Sequence, residues 1–478
     1  MAGRCRWLHI RCIFAHGRGS AIAKDNAAAQ APETREDSGL RRSLTLRDLI
    51  VYGLLFIGPI APMGTFGVLD ARSGGAIGLV FVVATLAMAF TAWSYARMSR
   101  AVPLAGSVFA YAAAGLGRRP GFIAGWMIGL DYLFIPSMAS LFTGIAAHQL
   151  IPAVPVWVFT LIGILIITGL NLAGVKTAAI VGFVMLAIEV AVLAVFVVAA
   201  AVVLARHGAQ RPWLSPLTGL DGFDLAGILG AVSVAVLAFL GFDAIASFAE
   251  ETTGSNRQVS RALQFCLALA GALFVVQTYL GALLSPLTPA YLNAHQGEQG
   301  TAFYQLLDTQ IGTWFGTTVT LIKAVGPVFS ALVAQAAVSR LMFGMARDGA
   351  LPKALATVDP RTRTPRTAVL VSAVFTILIA IAAAVREDGL EVLSSMVTVG
   401  ALVGFLFLHA AVIGYYVRGR RTEQRTRHIV VPVVGAVIIA IVLALAAHLA
   451  LAIAAVWLAI GVVVLVIRES RRQDPQRS

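Results

Sequence analysis

Long apolar runs dominate the chain, and short polar segments separate them. A helix that crosses the hydrocarbon core of a bilayer needs about 20 apolar residues, and twelve runs reach this length. The runs lie at about 48–69, 76–98, 120–149, 154–172, 177–205, 225–249, 261–285, 313–343, 367–385, 391–416, 429–446 and 449–467. The pattern therefore predicts an all-α membrane protein with twelve transmembrane helices.

Composition excludes the main alternatives. Of the 478 residues, 59% are hydrophobic and 12% are charged, whereas soluble domains are about 45–50% apolar and about 25% charged. A disordered chain would have few apolar residues and many charges. The predicted protein is therefore neither soluble and globular nor disordered as a whole.

The distribution of positive charge predicts the orientation. The net charge is +13, and nearly all of the 36 Lys and Arg residues lie on the side of the membrane that holds the N-terminus. The opposite side holds only Arg72, Arg206, Arg211 and Arg386. Because cytoplasmic loops are rich in Lys and Arg, we expect a multi-pass protein of the cell (inner) membrane with both termini in the cytoplasm. Residues 1–43 are expected to form a disordered cytoplasmic tail without a signal peptide, and residues 468–478 a C-terminal tail.

Two predicted helices contain signals for a break. In helix 1, Pro59 and Pro62 remove two N–H donors between Gly58 and Gly64. In helix 6, the segment 239–243 contains Gly241 and Asp243 inside the apolar run. Interrupted helices at positions 1 and 6 are typical of two inverted repeats with a substrate site near the midplane. The alternative for helix 1 is a simple proline kink.

Four ionisable residues lie deep inside predicted spans, where a charge costs about 2.5–3.5 kcal/mol. They are Asp131 in helix 3, Glu189 in helix 5, Asp243 in helix 6 and Lys323 in helix 8. One cation cannot neutralise three acids, so at least one acid is protonated or faces water, a substrate or an ion. Asp131 and Asp243 are candidates for the substrate path. The alternative is a structural role, in which each acid pairs with Lys323 or accepts hydrogen bonds from an opened backbone.

Two further acidic features concern coupling and gating. Glu189 is either a proton carrier, since burial favours the protonated form of a carboxyl group, or the ion-pair partner of Lys323. Glu250 and Glu251 end helix 6 on the cytoplasmic side, and Arg257 and Arg261 follow on the same side. These four residues predict a gate or a structural ion-pair cluster, or else a solvated loop.

Several motifs resemble the amino acid–polyamine–organocation permease superfamily from about residue 44 to 467. Residues 103–111 resemble its P-x-A-G-S-x-Y-x-Y stretch, and residues 121–126 resemble its G-F-x-x-G-W. Residues 239–252 resemble its helix 6 signature, and residues 339–365 its loop between helices 8 and 9. The segments 130–136, 239–244 and 65–67 are most similar to putrescine importers.

This resemblance implies a fold of two inverted five-helix repeats, at about 48–205 and 225–416, with two extra helices at about 429–467. It also implies uptake driven by a cation gradient through alternating access, with a proton or a sodium ion as the coupling partner. The resemblance assigns substrate binding to Gly58, Ile60, Ala61, Asp131, Tyr132, Gly241 and Asp243. It assigns closure of the cytoplasmic side to Tyr111.

Two departures from the superfamily bear on the substrate and on coupling. Members that carry amino acids usually have a Gly-Ser-Gly-like turn in helix 1 whose N–H groups hold the substrate carboxylate, whereas this chain has prolines there and offers fewer donors. Many members have a lysine near the position of Glu189, whereas here the lysine is Lys323 in helix 8. The first departure favours an amine over an amino acid.

The sequence therefore predicts a secondary importer of a small cationic amine such as putrescine, with protons as the expected coupling ion. The alternative is a permease or exchanger for a cationic or neutral amino acid. We expect no enzyme activity, no cofactor, no metal and no nucleic-acid partner, because no metal-ligand spacing or phosphate-binding loop is present. A membrane sensor would need a soluble signalling domain, for which the chain has little room.

Overall fold

A computed structural model of the chain describes residues 40–473 apart from residues 221, 256, 387–388, 420–421 and 446–447. The described residues form helices and loops without any strand, and one isolated bridge joins Leu44 to Thr252. The predicted all-α class is confirmed. Most of the predicted N-terminal tail, residues 1–39, and the end of the C-terminal tail lie outside the described residues.

Seventeen α-helices follow one another in the described part of the chain. They are α1 (Leu46–Ile57), α2 (Pro62–Arg72), α3 (Ile77–Ala101), α4 (Val108–Leu116), α5 (Arg118–Leu150), α6 (Val156–Ala173), α7 (Val175–His207), α8 (Ser215–Thr218), α9 (Leu225–Ala235), α10 (Arg257–Leu284), α11 (Pro289–Ala294), α12 (Ala302–Gln310), α13 (Thr313–Arg347), α14 (Arg366–Ala384), α15 (Gly389–Ile413), α16 (Arg427–Ala444) and α17 (His448–Gln473). Short 3₁₀ helices follow α9 and a π-helical turn, Gly414–Gly419, follows α15.

Eleven helical segments are long and apolar enough to cross a membrane. The bent pair of α1 and α2 passes the same test when it is taken as one span, which raises the number to twelve. Each of the twelve coincides with one of the predicted apolar runs, although several helices extend further than predicted. The chain is therefore a multi-pass membrane protein.

Both predicted helix breaks are confirmed. The axes of α1 and α2 meet at 51° across residues 58–61. The sixth span, Leu225–Glu251, changes from α9 to a 3₁₀ turn, becomes extended at Leu240, and continues as a second 3₁₀ helix from Phe242. Broken backbone at membrane depth is tolerated only where it is buried in protein or lines a cavity, and both breaks are enclosed by other helices.

Helix α5 lies at the centre of the bundle and packs against α4, α6, α13 and α15. In its apolar window, 78% of the residues are buried, whereas the corresponding value for α17 is 11%. Because lipid tails are as apolar as the side chains they meet, the exposed apolar faces of α7, α16 and α17 are suited to lipid contact. The central helices therefore carry the candidate site, and α17 lies at the periphery.

Backbone hydrogen bonds fix residues that precede α1. The backbone N–H groups of Ser43 and Leu44 donate to the carbonyl of Glu251, both at 3.0 Å, and Thr253 N donates to Leu44 O at 3.0 Å. Arg41 N donates to Arg363 O at 3.3 Å. Arg41 and Ser43 belong to the tail expected from the sequence, and through these contacts they bind the loop before α14 and the end of the sixth span.

Candidate functional site

The two helix breaks meet each other inside the bundle. Gly241 has φ 107°, in the left-handed region that favours glycine. A Cβ atom at this position would lie 2.6 Å from the ring of Phe56, near the end of α1. A side chain at residue 241 would therefore both strain the backbone and separate the two broken helices.

Asp243 lies in the first turn after the second break and is fully buried. Its Oδ2 accepts hydrogen bonds from the hydroxyls of Tyr95, at 3.0 Å, and of Tyr132. Its Oδ1 accepts the N–H of Gly241 at 3.3 Å. Three donors from α3, α5 and the break itself thus compensate the desolvation of this carboxylate.

Aromatic rings surround this carboxylate. The ring of Tyr95 lies edge-on to Tyr111, Phe242 and Phe405, with centroid separations of 6.2, 5.8 and 5.9 Å. Tyr111 is fully buried, and its hydroxyl has no hydrogen-bond partner among the described residues. Tyr111 therefore closes one side of the aromatic enclosure without binding Asp243.

Asp131 is also fully buried, one residue before Tyr132 on α5. Neither of its carboxylate oxygens has a hydrogen-bond partner within the part of the chain that the structure describes. Its charge and that of Asp243 lie close enough to repel each other. Asp131 is thus a buried acid to which no described residue donates a hydrogen bond.

The break between α1 and α2 leaves few N–H groups free to bind a ligand. Pro59 and Pro62 have no N–H, and the N–H groups of Gly58, Ala61, Met63 and Gly64 donate to backbone carbonyls at 2.9–3.2 Å. Within residues 58–64, all of which are described, only the N–H of Ile60 lacks such an acceptor. Gln277 Nε2 donates to Pro59 O at 2.9 Å and fixes the bend.

The end of α1 also carries the negative end of a helix dipole. Because this end lies against Gly241, next to Asp243, its electrostatic effect has the same sign as that of the carboxylate. Gly58, Ile60 and Ala61 thus lie in the first break, which follows directly after the Phe56–Gly241 contact. Tyr132 binds Asp243 beside the second break, and Asp131 precedes Tyr132 on α5.

Glu189 and Lys323 lie apart from this group, between α7, α13 and α2. Glu189 is 4% exposed, its Oε1 lies against Gly326, and its Oε2 has no hydrogen-bond partner among the described residues. Lys323 Nζ lies against Gly64, 3.8 Å from where a Cβ would be. The two charges attract each other, but no ion pair within 4.0 Å joins them in the described part of the chain.

Glu250 and Glu251 form ion pairs with α13. Glu251 binds Arg340 through two contacts of 2.7 and 3.2 Å, and both side chains are 1% exposed. Glu250 binds Arg347 at 2.7 and 2.9 Å and accepts Ala105 N at 2.8 Å. Each glutamate thus joins the end of the sixth span to the end of the eighth span.

These arginine partners differ from those that proximity in sequence suggested. Arg257 and Arg261 follow the glutamates directly in the chain, but Arg340 and Arg347 bind them. Both arginines occur in the motif-bearing segment 339–365, which begins at the end of predicted helix 8. Their predicted position on the cytoplasmic side was the available signal, whereas the pairing depends on how α13 crosses the sixth span.

Sequence reasoning missed two further polar sites. At the opposite end of the bundle, Arg211 binds both oxygens of Asp70, at 2.8 and 3.0 Å, and donates to Leu287 O, and this pair is buried. In the interior, His409 of α15 faces Thr91 and Ser94 of α3 at 3.3 and 3.0 Å. His409 lies within a long apolar run, and the hydropathy of that run did not indicate that its ring would face two hydroxyl groups of α3.

Comparison with known proteins assigns the chain to a group of transporters. A family model for amino acid permeases matches residues 49–473, almost all of the chain beyond the N-terminal segment. The match includes every span described above. The activity expected of this family is transport across a membrane, not enzymatic conversion.

Individual relatives carry different substrates. The low-affinity putrescine importer PlaP of Escherichia coli K12 is 28% identical over 447 residues, which cover 91% of this chain and 96% of that protein. The branched-chain amino acid permease BcaP of Bacillus subtilis is 28% identical over 476 residues, which cover 94% and 97%. The vacuolar cationic amino acid transporter 2 of Arabidopsis thaliana is 27% identical over 395 residues, which cover 78% and 60%. Identity to these relatives does not distinguish amines from amino acids.

Proposed function

The chain belongs to the amino acid permease family of the amino acid–polyamine–organocation superfamily, and we propose that it imports a small cationic amine such as putrescine. In this proposal the protein is a secondary active transporter that works by alternating access and couples uptake to protons. The amine binds where the two broken helices meet. Asp131 and Asp243 each neutralise one ammonium group of a diamine.

The observation that carries the proposal is the isolation of Asp131. This carboxylate is fully buried and has no partner among the described residues, and an unpaired charge in such surroundings is costly. The half-buried Lys323 lies against Gly64, on the side of Glu189, instead. A substrate ammonium group would supply the positive charge that no described residue brings to Asp131.

The break in α1 supports an amine over an amino acid. An α-carboxylate needs several N–H donors, and within residues 58–64 only the Ile60 N–H is without a backbone acceptor. The carbonyl groups and dipole at the end of α1 instead favour a cation. Rings such as those of Tyr132 and Phe242 are suited to contact the methylene stem or an ammonium group.

Alternating access would follow from two inverted repeats. In this proposal, residues of about 48–205 form one repeat and residues of about 225–416 the other, so that each repeat begins with a broken helix. The two extra helices are α16 and α17. The proposed transporter domain therefore spans residues 44–467, and the segments before and after it are cytoplasmic, in agreement with their positive charge.

Gating is proposed to reside at the ends of the sixth and eighth spans. The pairs Glu251–Arg340 and Glu250–Arg347 join these spans, and their separation would open the cytoplasmic side. Tyr111 would move with them, because α4 begins beside Ala105, whose N–H binds Glu250. The proposed location is the inner cell membrane.

Proton coupling is proposed for Glu189. Its Oε2 lacks a hydrogen-bond partner, and Lys323 beside it lies against Gly64 of α2. Protonation of Glu189 would leave Lys323 without a counter-charge next to α2, the second half of the first span. A change of charge at this pair could therefore be transmitted to the substrate site through α2.

The second candidate is a permease for a cationic amino acid. It is favoured by the identity to amino acid transporters and by the one available N–H at Ile60. A cationic amino acid would place its side-chain ammonium on the carboxylates and its α-carboxylate near Ile60. The two candidates differ in whether α1 must contribute more donors on binding.

The deciding experiment is uptake of labelled putrescine into proteoliposomes with and without an inward proton gradient. Excess arginine, lysine and leucine serve as competitors, and liposomes without protein give the background. We expect gradient-driven uptake that none of the three amino acids inhibits. Uptake of labelled arginine or leucine in the absence of putrescine uptake would replace the amine importer with the amino acid permease.

A further inference from the structure

A surface cavity lies away from the two breaks, where α4, α5 and α17 meet the loop after α13. It is open to the surface, and its volume is about 60 Å³. Arg118, Arg119 and Arg468 line it together with the aromatic rings of Phe109 and Phe122. The remaining charged lining residues are Asp348 and Glu469, so that positive charge is in excess.

Two tryptophans next to this cavity hold α5 and α17 together through reciprocal hydrogen bonds. The indole N–H of Trp126 on α5 donates to Trp457 O at 2.8 Å, and the indole N–H of Trp457 on α17 donates to Trp126 O at 2.9 Å. Their rings stack with centroids 4.8 Å apart, and Gly461 lets α17 approach the ring of Trp126. The two helices are thus held together here, and the cavity opens beyond this contact, towards the start of α5.

The three arginines of the cavity already make contacts within the protein, and Arg118 keeps donors for an anion. Arg119 binds Glu469 at 2.6 Å. Arg118 donates to Asp348 O at 3.2 Å, and Arg468 donates to Gly349 O and lies over the ring of Phe122 at 5.2 Å. Since guanidinium groups have five donors, Arg118 has donors left for a phosphate group.

The depth of the cavity indicates the source of the anion. Arg118 begins the membrane-spanning part of α5, and Glu469 ends that of α17, so both lie at the level of lipid headgroups. The outer face of α17 continues from the cavity as exposed apolar side chains, including Val462, Val463 and Val466. Acyl chains on this face would hold a headgroup at the arginines.

We propose that this cavity binds the phosphate headgroup of an anionic phospholipid. The bound headgroup would also hold the residues 348–350, which follow Arg347 directly in the chain. Because Arg347 pairs with Glu250, the lipid would stabilise the arrangement in which the sixth and eighth spans are joined. Anionic lipid is thus inferred to regulate the protein at a site separate from the substrate.

The test titrates the purified full-length protein in detergent with dioleoylphosphatidylglycerol, dioleoylphosphatidylcholine or inorganic phosphate and measures the thermal unfolding midpoint. We expect phosphatidylglycerol to raise the midpoint at concentrations where phosphatidylcholine does not. The double variant Arg118→Gln/Arg468→Gln should weaken the apparent affinity by roughly twentyfold, since each cation near an anionic surface contributes about fivefold. Arg118→Lys/Arg468→Lys should restore part of it.

The matched control is Arg257→Gln/Arg261→Gln, which removes two exposed arginines that do not line the cavity. It should leave the lipid effect unchanged. An equal response to both lipids, or an unchanged affinity in the cavity variant, would overturn the proposal. Inorganic phosphate that reproduces the shift and competes with the lipid would assign the cavity to a free anion instead.

Discussion

Asp131 and Asp243 are two fully buried acids with opposite surroundings. Asp243 accepts hydrogen bonds from two tyrosine hydroxyls and one backbone N–H. Asp131 accepts none from the described residues. Both lie near the meeting point of the broken helices, so the difference does not arise from depth or from burial.

The two residues show two ways in which the desolvation cost of a buried carboxylate in a membrane protein can be met: by hydrogen-bond donors of the protein, or by a bound cation. The donors around Asp243 offset its desolvation in the absence of a ligand, and they also fix its orientation. Asp131 is kept at a cost to stability, which is justified if a cation binds there during function. In the proposed site, Asp243 therefore belongs to the preformed part, and Asp131 is the residue expected to depend most on the substrate.

The largest expected effect is that of Asp131→Asn on amine uptake. Removal of one partner of a buried charge pair costs about 3–5 kcal/mol, so uptake should fall by at least about 100-fold. The thermal unfolding midpoint without substrate should stay the same or rise, because the replaced carboxylate has no partner to lose. Initial rates in proteoliposomes and a thermal unfolding assay measure both quantities; near-normal uptake would place Asp131 outside the site.

Asp243→Asn should also abolish most uptake while leaving membrane insertion intact. The amide oxygen of asparagine can still accept the tyrosine hydroxyls, so we expect a smaller loss, about 10- to 100-fold, from the missing charge. The Asn variant must reach the membrane at the wild-type level for the comparison to hold. Uptake close to that of the wild type would show that the substrate does not use this carboxylate.

Leucine substitutions of the two acids should have different effects on the thermal unfolding midpoint. Asp243→Leu orphans the hydroxyls of Tyr95 and Tyr132, and each unsatisfied buried group costs about 1–3 kcal/mol. Asp131→Leu orphans no described donor. The midpoint should therefore fall clearly for Asp243→Leu and fall little or rise for Asp131→Leu; equal losses would mean that Asp131 has a structural partner after all.

The smallest expected effect is that of a single tyrosine hydroxyl. Tyr132→Phe removes one donor to Asp243, and a hydrogen bond to a charged group contributes about 1.5–3 kcal/mol, so uptake should fall by roughly 10-fold or more. Tyr111→Phe is the matched control, because its hydroxyl has no partner among the described residues. A loss of uptake in Tyr111→Phe of the same size would indicate that the enclosure matters through packing and not through the bond to Asp243.

Several features of the fold were predictable from the sequence because they depend on local pattern. The spans follow from run length, and the break in the first span follows from Pro59 and Pro62, which cannot donate. The break in the sixth span had a weaker signal in Gly241, and the structure explains it through the close approach of Phe56. The helices α11 and α12 between the seventh and eighth spans were not predicted, since that segment has no long apolar run.

The pairings of charged residues were not predictable in the same way. Glu251 binds Arg340 across 89 positions of the chain, and Arg211 binds Asp70 across 141 positions. Such contacts depend on which helices cross, and no local pattern records the crossing. For the same reason, the sequence did not indicate that the backbone of Ser43, in the expected tail, binds Glu251 at the end of the sixth span.

By itself, the sequence determined that this chain crosses the membrane many times, where its first span breaks, and that three acids and one lysine lie inside the bundle. These properties follow from hydropathy, from proline chemistry and from the length that a bilayer requires. Only the tertiary structure decided that tyrosines of α3 and α5 bind Asp243 and that no residue in the described part of the chain donates to Asp131. The reason is that the cost of a buried charge depends on the donors that other helices bring to it, and their positions are a property of packing.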